Sequence, residues 1–331
     1  MILRHGLARR LAVATTMVAG ISVGFSISFA AETAQVRITE LDGKLRVEVG
    51  GELFAEYHYR GGSRPYLYPV LLPGGLAMTR NWPMKEAPGE DRDHPHHRSL
   101  WWAHGDVNGV DFWSESSKAG KTVHHQLLEA TSGPEAGWIR TTNKLVGPDG
   151  KVVATDERTL RFMGRGDQRL LDFEVTIHAS EGPLEFGDTK EGTMAIRLAE
   201  TMRLKPNKDN AGRPTGRIVN SEGVRDGDTW GKRAKWVDYH GPVSGQTVGV
   251  AILDHPANPR HPTWWHVRDY GLFAANPFGI HDFEKRPAGT GNLKLAAGEK
   301  VTFRYRFVFH PGDEKQAGIA GLFAEYAASA Q

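Results

Sequence analysis

From Val36 to Phe309 the chain is written in short runs of alternating apolar and polar residues, a pattern that stacked β-sheets accommodate and helices do not. The clearest run is Val301 to Phe309. Val301, Phe303, Tyr305, Phe307 and Phe309 fall on one face; Thr302, Arg304, Arg306 and Val308 fall on the other. Val36 and Ile38 lead into Asp42-Gly43, a hairpin signal, and Leu45, Val47 and Val49 resume the alternation. Gly50-Gly51 makes the next turn. Further strands are expected over 53–59, 64–72, 123–129, 137–145, 152–162, 169–179, 193–198, 233–239, 247–253 and 271–276. Helical spacing appears only at the end, where Ile319, Leu322, Phe323 and Tyr326 predict a short helix over 317–328. The polar, Pro- and Asn-bearing stretch 205–216 predicts a loop. The pattern predicts a mainly β protein: a large antiparallel β-sandwich with a short C-terminal helix, formed by residues 31–331 as one domain.

Residues 1–30 read differently. Arg4, Arg9 and Arg10 precede an apolar stretch from Leu11 to Phe29, and Ser28-Phe29-Ala30 resembles a small-x-small cleavage site. This is the layout of a signal peptide, and the Arg9-Arg10 pair permits a twin-arginine route. A periplasmic or secreted protein is expected. No later segment is long and apolar enough to cross a bilayer as a helix. Cysteine is absent, so an exported chain would depend on its core rather than on disulfides. With 41 basic and 39 acidic residues, the charge balance gives no footprint for nucleic acid.

Four polar clusters could carry chemistry. The densest runs from Asp93 to Trp113 and holds His94, His96, His97, Arg98, Trp101, Trp102, His104 and Asp106. Burying such groups is costly unless each finds a partner. On an extended segment His94 and His96 would share a side, the spacing by which two imidazoles enter a divalent metal site that takes a third ligand elsewhere. Trp101 and Trp102 read either as stacking platforms for sugar rings or as core. The second cluster gathers Glu185, Asp188, Lys190 and Glu191 before an apolar strand, where carboxylates serve as acid or base or form a solvated turn. The third, Asp254-His255-Pro256 with Asn258, Arg260 and His261, runs on to Trp264-Trp265-His266 and Arg268 at a strand end. The fourth, around Trp230 and Trp236 to His240, reads as packing more than binding. No Gly-rich phosphate loop, Ser nucleophile elbow or catalytic Cys is present, so no nucleotide cofactor is expected.

Several stretches resemble a family of bacterial secreted proteins catalogued as "methane oxygenase PmoA", whose function is unknown. They are Arg64-Pro-Tyr-Leu-Tyr-Pro, Asp93-His-Pro-His-His-Arg-Ser-Leu-Trp-Trp-Ala-His-Gly, Gly187-Asp-Thr-Lys-Glu-Gly and the Asp254-His-Pro region. The resemblance spans nearly all of 31–331 and implies no catalytic residue. A particulate methane oxygenase subunit is a multi-helix membrane protein, so the family name does not carry over as function. The strand pattern is similar to the galactose-mutarotase type of super-sandwich, which hosts sugar epimerases, lyases and hydrolases.

Three functions are open at this point. The first is a carbohydrate-active enzyme that hydrolyses, eliminates or epimerises. His97, His104 or His255 would act as acid or base, with Asp188 or Glu191 opposite. Arg98, Lys190 and Asp106 would hold polar groups, Trp101 or Trp102 would stack on the ring, and His94 and His96 would hold any metal. The second is a non-catalytic sugar-binding module. The third is a metal-dependent oxygenase.

Overall fold

A computed structural model describes residues 1–2 and 33–329. The expected leader lies outside the described residues apart from its first two. Two large antiparallel sheets share one hydrophobic core. The first sheet runs, in spatial order, Trp264–Val267, Leu272–Asn276, Gly192–Arg197, Leu100–His104, Tyr66–Leu72, Glu52–His58, Lys44–Val49 and Val36–Leu41. The second runs Arg217–Asn220, Trp236–Val243, Gln246–Asp254, Lys300–Pro311, Gln168–His178, Val152–Arg165, Ala136–Val146 and Lys121–Thr131.

The period-two pattern explains the sandwich directly. Val301, Phe303, Tyr305, Phe307 and Phe309 point into the core with Phe54, Phe162 and Phe173. Arg304 and Arg306, on the opposite face, sit in register with Glu174 and Asp172 and pair with them at 2.7 and 2.6 Å. Val308 shares that outward face yet is fully buried. The helix Ile319–Ala327 lies over it, packing Ile319, Leu322 and Tyr326 against Val308, Leu253 and Trp236.

Some expectations need correction. The strand expected over 233–239 begins at Trp236. The Arg233 side chain instead donates to the carbonyls of Pro262 and Arg260 and lies over the Trp264 ring at 4.5 Å. The 205–216 loop holds a short 3-10 turn, Lys208–Asn210, capped by Asn207, and both asparagines are buried. A helix at Ile280–Glu284 and a two-stranded ribbon, Leu184–Phe186 with Leu293–Leu295, have no counterpart in the sequence reading. Among the described residues no helix is long and apolar enough to cross a membrane.

Candidate functional site

Four neighbouring strands at one edge of the first sheet bring distant polar residues to a single cavity of about 570 Å³. The loop before Leu100–His104 supplies His94, His96 and His97. The turn after that strand supplies Asp111, Trp113 and Ser114. Lys190 and Glu191 come from the segment entering Gly192–Arg197. His266, Arg268 and Tyr270 come from the hairpin that joins the two edge strands. Backbone proximity makes the approach possible. A Cβ on Gly105 would stand 2.8 Å from the Glu191 Cβ, so only glycine lets the 187–191 segment lie against the strand end. That contact is fixed by the Gly105 amide donating to the Glu191 carbonyl at 2.7 Å.

The cavity's inner wall is a stack of rings. Tyr270 lies parallel to His94 at 5.2 Å, His94 to His97 at 4.7 Å, and His97 on Trp101 at 5.4 Å. His94 is wedged in this stack with a positive φ of 42°, a conformation non-glycine residues seldom adopt. Its Nδ1 donates to the Asp93 carboxylate at 2.6 Å, so the Nε2 lone pair is the free one. Asp93 is itself gripped by the buried guanidiniums of Arg80 and Arg197. Burial pushes the Asp93 carboxyl up, but the His94 hydrogen bond and the Arg197 and Arg80 charges outweigh it, holding the group well below the usual carboxylate range.

The remaining imidazoles are neutral. Burial, with Arg197 next in weight, holds His97 far below an ordinary histidine. Burial, with the nearby Arg268 and Lys190 charges, takes His266 down to about 3. Burial and the Arg64 charge take His96 to about 4. Among carboxylates on the wall, Asp111 is occupied: it accepts from the Trp113 and Ser114 amides at 2.7 and 3.0 Å and from the Ser114 hydroxyl. Glu191 is not so tied; Lys190 Nζ stands 3.6 Å from it.

Of the residues singled out in the sequence, the structure brings His94, His96, His97, Lys190 and Glu191 to this cavity, together with His266 and Arg268 of the third cluster, and places the other candidate site residues elsewhere. His104 is fully buried between the sheets, donates from Nε2 to the Gly187 carbonyl at 2.8 Å and packs on Phe278; strand alternation turns it into the core. Asp188 accepts the His281 and Gly291 amides at 2.9 and 2.8 Å and pins a loop. His255 lies on the second sheet under the terminal helix, against Tyr326 at 4.9 Å. Arg98 is spent on a two-pronged pair with Glu115, at 2.6 and 2.8 Å. Asp106 accepts the Gly109 amide at 2.8 Å and closes a turn. Trp101 and Trp102 are both buried, on opposite faces of their strand, and neither offers a ring face to a sugar. His94 and His96 stand with ring centroids 5.7 Å apart at 68°. Among the described residues, the trio of His and acid ligand atoms that lie within 4.8 Å of one another is Asp238 and His240 of the second sheet with Glu314 from the turn after it, and no third such atom lies that close to His94 and His96.

The sequence reading missed Arg197 and Tyr270. Arg197 carried a signal: an arginine inside an apolar strand must find a buried partner. Tyr270 carried none.

The chain belongs to a family of unknown function, DUF6807, whose pattern matches residues 44–324. No curated protein matches it. Among solved structures it is similar to a putative aldose 1-epimerase from Escherichia coli K12, at 12% identity over 85% of this chain and 99% of the other, with a TM-score of 0.30. It is also similar to a GH36 α-galactosidase from Geobacillus stearothermophilus, at 12% identity over 85% of this chain and 41% of the other, with a TM-score of 0.39. A polysaccharide lyase is similar at 11% identity over 86% of this chain and 34% of the other, with a TM-score of 0.33. The chain thus spans about a third of the lyase and two fifths of the galactosidase. Function has to be read from this chain's own side chains.

Proposed function

We propose that this protein is an exported carbohydrate-active enzyme whose chemistry is proton transfer at carbon, with His94 as general base. The observation that carries the reading is the Asp93–His94 pair: a carboxylate fixes the imidazole tautomer and leaves a bare Nε2 at a cavity whose wall also carries the cationic ends of Lys190 and Arg268. Base removal of a proton beside a carbonyl or carboxyl group leads to elimination or epimerisation. Glycoside hydrolysis fits the wall less well, because it calls for two working carboxyl groups and Asp111 is engaged by its own turn. Lys190 and Arg268 would neutralise charge that develops on the substrate. The leader read in residues 1–30 would take the protein out of the cytoplasm, where glycans are met.

The test is isotope exchange. The mature chain is incubated in D2O with oligosaccharides and sugar acids, and deuterium uptake or a mass change is followed by NMR and mass spectrometry. His94→Gln should lower the exchange rate by roughly 10²-fold or more, while ligand binding persists. Exchange that proceeds equally well in His94→Gln, or that never occurs in the parent protein, would sink the assignment; binding without any exchange would mark a binding module.

A further inference from the structure

Two imidazoles on the cavity wall are wired alike. Arg197 Nη1 meets His97 Nδ1 at 3.3 Å, and Trp230 Nε1 meets His266 Nδ1 at 3.2 Å. A guanidinium and an indole N–H can only donate, so Nδ1 of each ring must be the bare nitrogen. The single ring proton of each neutral imidazole therefore sits on Nε2. Both histidines offer a donor; for His97 the sequence reading expected an acid or base. His94 is wired in the opposite sense, donating to Asp93 and keeping its Nε2 bare. The cavity wall thus holds the bare Nε2 of His94 and two fixed N–H groups, with the cationic ends of Lys190 and Arg268 and the Glu191 carboxylate 3.6 Å from Lys190.

We infer that the cavity takes a carboxylate-bearing sugar, a uronic or aldonic acid, whose carboxylate is received by the Nε2–H groups of His97 and His266 together with Lys190 and Arg268. This rests on the proton-transfer reading, since a carboxylate beside the C–H gives the departing electron pair somewhere to go. His94 Nε2 takes the proton; the C–H pair moves into the carboxylate and forms an ene-diolate held by the donors. The pair then returns by picking up a proton on the other face, or expels a β-oxygen that leaves with a proton from water. Neutral N–H donors suit this better than imidazolium, because they stabilise the dianion without protonating it. Trp230 acts as a positioning residue: its indole fixes the His266 tautomer.

The experiment measures binding of D-glucuronate, D-galacturonate, D-glucose, D-galactose and N-acetylglucosamine 6-sulfate to the mature chain by calorimetry. At least one uronate should bind tenfold or more tightly than its neutral counterpart. Trp230→Phe keeps the ring and removes the N–H. It should cut that preference about threefold, and ¹⁵N spectra of the imidazoles should show His266 released from its fixed Nε2–H tautomer; a merely structural tryptophan would leave both unchanged. Equal binding of acid and neutral sugars, binding of none, or tighter binding of the sulfate overturns the inference. A uronate preference without deuterium exchange overturns the His94 assignment instead, so the two failures are distinguishable.

Discussion

Acidification from pH 7 to pH 5 should cost this protein several kilocalories of folding stability, and three side chains account for most of it. His97, His104 and His266 are almost entirely shielded from solvent. Burial and, for two of them, neighbouring cations depress their proton affinity: His104 to about 4, His266 to about 3, and His97 well below its ordinary value. In the unfolded chain each would titrate at about 6.5. As pH falls through that value the unfolded state binds protons and the folded state does not, so stability drops with acid. For one such histidine the loss between pH 7 and 5 is about 2 kcal/mol, and for three it is about 6 kcal/mol, on the scale of a whole domain's stability. His240 works the other way, because Asp238 overcomes the burial penalty and raises its affinity, and it offsets part of this. Carboxylates held low, such as Asp93, contribute chiefly below pH 5 and leave the window clean. The assay is urea unfolding at both pH values in the same ionic strength. His104→Gln, which keeps a neutral donor toward the Gly187 carbonyl, should remove about 2 kcal/mol of the pH effect. A loss under about 1 kcal/mol in the parent protein would refute the reasoning, since it would mean that these rings accept protons in place.

Other outcomes follow from particular contacts. Asp238 is fully buried and accepts from His240 and His310 at 2.6 and 2.7 Å, so Asp238→Asn should lower stability by about 3–5 kcal/mol in urea unfolding. Trp102→Ala should cost about 3–5 kcal/mol in the same assay yet leave sugar affinity within twofold by calorimetry, because that indole faces the core. Gly216→Ala would drive its Cβ into the Met202 carbonyl oxygen, and should lower the thermal midpoint by at least about 5 °C in a calorimetric scan.

Most of the architecture was legible because a sandwich repeats one local rule. Strand Lys300–Pro311 declares its inner face through five alternating side chains, and its outer arginines need only the next strand's acids to be satisfied. The short ribbon at Leu184–Phe186 and Leu293–Leu295 was not legible, because three residues are too few to show a period and its partner lies over a hundred positions away. The cavity was half legible. Its histidines, Lys190 and Glu191 stand out by chemistry, but composition does not say which way a side chain turns. His97 and His104 look alike in the sequence; one ends at the cavity wall beside Arg197 and the other inside the sandwich. Asp188 looked as promising as Glu191, and only the distant amides of His281 and Gly291 reveal that it is engaged.

The ring stack on the cavity wall has an optical consequence. Trp101 and Trp113 lie 5.4 and 5.8 Å from the His97 imidazole. A neutral imidazole leaves indole emission nearly untouched, whereas an imidazolium quenches it. Light emitted by Trp101 is therefore a label-free gauge of whether His97 carries a second proton, and Trp101→Phe supplies the blank.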